Sequence, residues 1–168
     1  MRPSKVTHYL NIAKEVAQRS TCFRRKFGAI IVKDDVIVAT GYVGAPRKTK
    51  DCFERGECLR DKMGIPHGQR YELCRSVHCE QNCIINAARS GTSVLGGDMY
   101  IWGSDKNNNP IDAFPCFICK KMIINAGLKR VICSTKNGET KIFEVEDWVK
   151  QWQQSDLLDD KHQYGKVD

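Results

Sequence analysis

The chain has 168 residues, of which 41% are hydrophobic and 28% charged, a balance that excludes an intrinsically disordered or collagen-like protein. No apolar run approaches the roughly 20 residues that a membrane-spanning helix needs. The formal net charge of +7 favours a polyanionic partner such as a nucleotide phosphate or a nucleic acid. Because the count of nine cysteines is odd and no secretory segment is recognisable, we expect a cytoplasmic protein whose cysteines bind metal or take part in catalysis.

Hydrophobic periodicity predicts alternating helices and strands in the first part of the chain. Apolar residues recur at helical spacing over Val6–Arg19. Two β-branched runs joined by a pair of aspartates predict a hairpin of Gly28–Lys33 and Val36–Tyr42. Residues 44–77 contain several glycine and proline turn signals and little periodicity, so we expect an irregular, cysteine-bearing insert there.

Regular patterns return after the insert. They predict helices at Glu80–Arg89, Cys116–Asn125 and Glu144–Trp152, with strands at Asp98–Trp102 and Arg130–Ser134. This order indicates an α/β protein, a three-layer α/β/α fold around one mixed sheet, in which the late, helix-linked strands are parallel and the early hairpin is antiparallel. We expect one domain over residues 1–152, followed by a polar tail at residues 153–168.

Two short motifs place metal ligands at the starts of two predicted helices. His78 precedes one helix, and Cys116 and Cys119 lie at the start of the other. A spacing of three puts both sulfurs on one helix face, and the amide groups of a helix N-terminus favour thiolates. Three protein ligands rather than four are typical of catalytic zinc, which keeps one position for water.

Glu80 stands two residues after His78, where it can accept a proton from water activated by zinc and pass it to a ring nitrogen and a leaving amine. The pairing of H-x-E with P-C-x-x-C is the known pattern of zinc nucleobase deaminases. The alternative is a closed structural zinc site that includes Cys79 or Cys83. That alternative leaves both Glu80 and Pro115 without a role.

With these motifs the sequence resembles the deoxycytidylate deaminases of the cytidine deaminase superfamily, from the first helix to about Ser134. Further matching stretches are Ser20–Cys22, Gly28–Lys33, Thr40–Pro46, Glu80–Asn82 and Ile123–Gly127. The resemblance implies a five-stranded mixed sheet between helices and hydrolysis of dCMP to dUMP and ammonia. It also implies zinc on His78, Cys116 and Cys119, with Glu80 as the proton shuttle. Val43 replaces an asparagine that commonly contacts the nucleotide in this family, so another cytosine nucleotide is an alternative substrate.

A second, structural zinc occurs in some members of the family, and it would explain how a long irregular insert stays ordered. Cys22 and Cys52 fall at plausible positions for it, and Cys74 is a third candidate ligand. Cys58 and His67 compete for the fourth position. Unliganded thiols and an exposed histidine are the alternative.

A mononucleotide substrate needs cationic or amide donors at its phosphate. The first candidates are the basic residues that lead into the first strand, Arg24, Arg25 and Lys26, followed by Arg47, Lys48 and Arg75. The candidates for the substrate pocket are Phe27, Tyr42, Val43 and Pro115, with Phe114 and Phe117 as further aromatic side chains. A solvated surface position or a place in the core is the alternative for each.

Other functions agree less well with the sequence. A polynucleotide deaminase of the tRNA adenosine deaminase type suits the net charge, but the basic residues are scattered rather than gathered in an arm or stripe. A free-nucleoside cytidine deaminase usually has a cysteine where this chain has His78, and a pure binding protein does not need Glu80. The resemblance further implies a homo-oligomer, from dimer to hexamer, with dCTP and dTTP as effectors. Neither nucleic acid nor membrane is an expected partner.

Overall fold

The computed structural model describes residues 1–155. Its strands are Arg25–Lys33 (β1), Val36–Tyr42 (β2), Asp98–Asp105 (β3), Arg130–Ser134 (β4) and Thr140–Glu144 (β5). Its helices are Lys5–Ala17 (α1), Cys52–Arg55 (α2), Leu59–Lys62 (α3), Cys79–Arg89 (α4), Phe117–Asn125 (α5) and Val145–Gln154 (α6), with a 3-10 turn at Tyr71–Leu73. No helix of this part is both long and apolar enough to cross a membrane.

Within residues 1–155 the strands form one five-stranded sheet in the order β2-β1-β3-β4-β5. The pair β3–β4 is parallel, and the other three pairs are antiparallel. A mixed sheet with a parallel pair late in the chain confirms the predicted α/β class and strand directions.

Alternate residues of the strands pack on opposite faces of the sheet and give two apolar layers. Ile30 of β1 and Tyr100 of β3 cluster with Leu10 of α1. Their neighbours Ile31 and Met99 belong to the other cluster, which includes buried residues of α4, α5 and α6. Since side chains of a strand alternate between the two faces, the sheet lies between helices, as the three-layer prediction requires.

Two glycines let helices approach the sheet closely. A Cβ at Gly28 of β1 would lie 2.3 Å from the carbonyl oxygen of Ala13 in α1. A Cβ at Gly41 of β2 would lie 2.3 Å from the backbone nitrogen of Cys83 in α4. These contacts fix the depth at which α1 and α4 sit on the β1–β2 hairpin, and hence the position of the N-terminus of α4.

Some elements differ from the patterns in the sequence. No periodic pattern predicted β5, which is an edge strand with four of its five residues exposed; only the family resemblance required a fifth strand. Strands β1 and β3 are longer than predicted because they pair as far as Arg25 and Asp105. Helix α6 runs to Gln154 and so takes in the first residues of the predicted polar tail, whose remainder from residue 156 lies outside the described residues.

The insert is closed at its base and contains only short elements. Gly44 and Val77 exchange two backbone hydrogen bonds, of 2.8 and 3.3 Å, which join its two ends. Between them lie α2, α3 and the 3-10 turn. Such short helical pieces need tertiary contacts for stability, and side chains provide them. Arg75 donates to both the carbonyl and the carboxylate of Glu57.

Candidate active site

The predicted metal ligands come together at the starts of two helices. His78 is the N-cap residue of α4 and Cys116 is the N-cap residue of α5, with Cys119 in the first turn of α5. Their donor atoms all lie within 4.8 Å of one another, which is true of no other group of three His, Cys, Asp or Glu in residues 1–155. The two sulfurs each lie 3.4 Å from Nδ1 of His78.

This donor set fits zinc. Nitrogen and sulfur ligands on a tetrahedral zinc, at about 2.1 and 2.3 Å from the ion, lie about 3.5 Å from each other. The observed N–S separations agree with that value. Hydrogen bonds from Cys119 and His78 lower the pKa of the Cys116 thiol to about 4, so one sulfur is a thiolate at neutral pH, the form that binds metal.

Glu80 lies in the first turn of α4 beside these ligands and is 6% exposed. Burial raises the pKa of its carboxyl group, which brings the group closer to the range in which it both accepts and releases a proton. The Cys79 thiol donates to Oε2 of Glu80 at 3.2 Å. Nothing in the sequence around Cys79 indicates this contact.

His78, Glu80 and Cys116 open onto a cavity of about 400 Å³. Of the predicted pocket residues, Phe27 and Val43 line this cavity, and Phe114 does so as well. The other two candidates lie elsewhere. Tyr42 pairs with Gly28, on the sheet face that α1 covers, and Pro115 is completely buried beside the cavity wall. The further aromatic candidate, Phe117, packs against the ring of Trp152 at 5.6 Å.

Of the basic residues predicted to bind phosphate, some line the cavity and others do not. Arg24 and Arg25 line the cavity. Lys26 does not, because it alternates with Arg25 on β1 and therefore points to the opposite face, where it donates to Asn108 at 2.8 Å. Arg47 is engaged with Asn86 in α4, Lys48 is exposed, and Arg75 belongs to the pair with Glu57 described above.

The cavity also includes residues that the sequence did not single out. Arg60 and Tyr71 come from the insert and line the cavity together with the metal ligands His78 and Cys116. The Tyr71 ring meets the His78 ring edge-on at 4.7 Å. No local signal marks these two residues, because the insert lacks the periodicity that separates buried from exposed positions.

The insert cysteines gather near one another. Burial raises the pKa of Cys22, and the proximity of Cys74 and Cys58 raises it further. Cys52 is affected in the same way by Cys22, Cys58 and Cys74. In the described part of the chain, no three of these sulfurs lie within 4.8 Å of one another.

His67, the other candidate for the fourth position, has a different environment. It lines the cavity, and its pKa is lowered by burial and by the positive charges of Arg25, Arg24 and Arg60. Cys58, by contrast, interacts electrostatically with both Cys22 and Cys52.

The chain is similar to known proteins over most of its length. The family model of the cytidine and deoxycytidylate deaminase zinc-binding region matches residues 3–135. A deoxycytidylate deaminase of Schizosaccharomyces pombe is 31% identical over 134 residues, which cover 80% of this chain and 38% of that protein. The chain thus spans well under half the length of this fungal relative. A deoxycytidylate deaminase of Mycobacterium phage D29 is 32% identical, with 78% of this chain and 94% of the phage protein covered.

A solved structure shows the same likeness. The dCMP deaminase of cyanophage S-TIM5, in complex with dCMP and dUMP, is 32% identical, with a TM-score of 0.57 over 78% of this chain and 81% of the phage chain. The metal-ligand geometry, the mixed sheet and the family match over most of the chain lead to one conclusion. The chain belongs to the cytidine and deoxycytidylate deaminase family.

Proposed function

We propose that this protein hydrolyses dCMP to dUMP and ammonia. The observation that carries the proposal is that His78 and Cys116 of the three-ligand cluster, together with buried Glu80, line the same cavity as several arginines. The metal-binding and proton-transferring groups would meet the base, and the cations would meet the phosphate. A volume of about 400 Å³ is within the range of small-molecule sites.

A zinc ion bound by His78, Cys116 and Cys119 supplies a Lewis acid that makes water nucleophilic at neutral pH. Glu80 takes one proton from the attacking water and delivers it to N3 of the cytosine ring, where it stays in the product. It then carries the second proton of that oxygen to the departing amine. Its burial keeps the carboxyl group able to hold each proton. The Cys79 thiol donates to Oε2, and this hydrogen bond helps to orient the carboxyl group.

The rest of the cavity suits a cytosine nucleotide. Phe27 and Phe114 line the cavity with aromatic side chains, and Val43 offers an apolar contact in place of an amide. Arg24 and Arg25 offer cations for the phosphate. Because the side chain of Val43 can neither donate nor accept a hydrogen bond, discrimination between dCMP and another cytosine nucleotide depends on the other residues of the cavity.

We also propose that Cys22, Cys52, Cys58 and Cys74 bind a second, structural zinc. Their mutual proximity supports this, and zinc binding requires the four sulfurs to draw closer. A homo-oligomer, dCTP and dTTP as effectors, and a cytoplasmic location remain predictions. The location is supported by nine cysteines that are all free, as expected in a reducing compartment.

The test is ammonia release from zinc-loaded protein offered dCMP, CMP, deoxycytidine, dCTP and a tRNA anticodon stem-loop. We expect turnover of dCMP well above that of the other four. Activity on another cytosine nucleotide, or on the stem-loop, with none on dCMP, would keep the zinc chemistry and overturn the substrate. Absence of ammonia with all five would overturn the proposed function.

A further inference from the structure

Arg60 is an arginine buried in the wall of the cavity. It lies in α3, is 5% exposed and lines the cavity. Its guanidinium group stands over the ring of Tyr71, at 5.0 Å from the ring centroid. The same ring also meets the ring of His78 edge-on. The Tyr71 ring therefore lies between Arg60 and the metal ligand His78. The Arg60 cation is in the same cavity as the metal ligands but is not in contact with them.

The guanidinium of Arg60 is only partly satisfied. Nη2 donates to the carbonyl oxygen of Pro66 at 2.9 Å. Nε is buried and has no hydrogen-bond partner among residues 1–155. A buried cationic N–H without an acceptor carries a considerable desolvation cost. An acceptor supplied by a ligand would remove that cost.

Arg24 shows the same incomplete pairing. Its Nε donates to Asp61 at 2.6 Å and its Nη2 to the carbonyl of Ile65 at 2.6 Å. Its Nη1 is buried and, in the described part of the chain, has no partner. Since Ile65 and Pro66 are consecutive, the two guanidinium groups are tied to one turn and lie close together, each with an unused donor.

The local charge is strongly positive. Arg24, Arg25 and Arg60 together lower the pKa of His67, after burial, so all three cations act on the same small region. Asp61 balances only the charge of Arg24. Phosphate is the ligand group that matches paired guanidinium groups in charge and geometry.

We propose that Arg60 acts with Arg24 to bind the 5′-phosphate of the substrate nucleotide, and that the insert thereby selects nucleotides over nucleosides. The inference rests on the proposed function for the identity of the ligand. The phosphate is assigned to this end of the cavity because the reacting carbon of the base has to lie at His78 and Glu80, on the other side of Tyr71.

The experiment compares Arg60→Gln and Arg60→Lys with the wild type, using kcat/KM for dCMP and for deoxycytidine. Loss of a charge-assisted contact predicts a fall of about 10- to 100-fold for dCMP in Arg60→Gln. Deoxycytidine has no phosphate, so its value should hardly change. Arg60→Lys keeps the charge but not the planar guanidinium group, so its kcat/KM for dCMP should lie between those of the wild type and Arg60→Gln.

The matched control is Arg70→Gln, which removes an arginine of the same insert. Arg70 is 59% exposed and pairs with Glu72 on the surface, so neither substrate should be affected. Thermal unfolding shows whether Arg60→Gln is folded. If it is not, the comparison of kcat/KM for dCMP and deoxycytidine is made with Arg60→Lys instead. Equal losses for dCMP and deoxycytidine, or no loss for either, would overturn the role of Arg60.

Inorganic phosphate separates this inference from the proposed function. Titration calorimetry of zinc-loaded wild type with phosphate requires no turnover, and we expect binding that weakens about 10-fold or more in Arg60→Gln. Wild type that releases no ammonia from dCMP but shows this difference would refute the proposed function alone. Wild type that deaminates dCMP while both proteins bind phosphate equally would refute the role of Arg60 alone.

Discussion

The wall of the cavity that holds the metal ligands and the wall formed by the insert are stabilised in different ways. The first consists of the N-terminal turns of α4 and α5, helices of 11 and 9 residues packed on the sheet by buried side chains. The second contains α2 and α3, each of only 4 residues. It is positioned by side chains such as Arg24, Arg60 and Arg75, which donate to main-chain carbonyl groups.

This difference separates two parts of the function. The wall with the metal ligands, called the metal wall below, derives its geometry from repeated backbone hydrogen bonds and core packing. It can therefore hold reacting groups within narrow tolerances. The insert derives its geometry from a small number of polar contacts, which individual substitutions can change without disturbing the sheet. Binding specificity is often carried by such loops on a rigid scaffold. Substitutions in the first wall should therefore lower kcat, and those in the second should act on substrate binding and local stability.

The largest effect is expected on the metal wall, at Glu80. Glu80→Gln keeps the shape of the side chain but cannot carry the proton, and should lower kcat for dCMP by more than about 100-fold. Zinc content and the affinity for dUMP should stay close to those of the wild type. The control is Glu72→Gln, on the surface of the insert. A variant at Glu80 with near-normal kcat would show that another group transfers the proton.

An intermediate effect is expected in the insert, at Cys52. If the four cysteines hold zinc, Cys52→Ser should reduce metal content from two ions per chain to one. The melting temperature should fall by roughly 5–10 °C, which corresponds to about 2–3 kcal/mol. Because the metal wall is built independently, kcat should change less than KM.

The control for Cys52 is Cys83→Ala, a buried thiol of the core that is not among the proposed ligands. It should lower stability without changing the metal content. Metal analysis by mass spectrometry together with thermal unfolding distinguishes the two cases. One zinc per chain in the wild type would rule out the second site and leave the insert held by its hydrogen bonds alone.

The same contrast explains what the sequence predicted. Helix α4, the β1–β2 hairpin and the parallel pair β3–β4 follow from hydrophobic periodicity, because each buries one face. The metal ligands could be predicted from short motifs, because residues three apart in sequence lie on the same face of one helix turn. In both cases the relevant contacts are local in sequence, or are repeated at a regular interval.

Other features depend on long-range contacts that leave no periodic trace. Strand β5 is an exposed edge, so its residues do not alternate between apolar and polar. Arg60 is buried because the insert folds over it, and its neighbours in sequence give no sign of that. Lys26 was placed with Arg24 and Arg25 by adjacency in sequence, but strand alternation sends it to the opposite face.

The smallest effect is expected at Cys79, which tests how finely the metal wall positions its proton carrier. The Cys79 thiol is a weak donor to Glu80, so Cys79→Ala should lower kcat by about 3- to 10-fold, equivalent to a weak hydrogen bond. The KM for dCMP should be unchanged, since Cys79 does not line the cavity. Cys79→Ser keeps a donor and should recover most of the loss. If both variants lower kcat equally, the side chain acts through packing, and Glu80 is positioned by its helix turn alone.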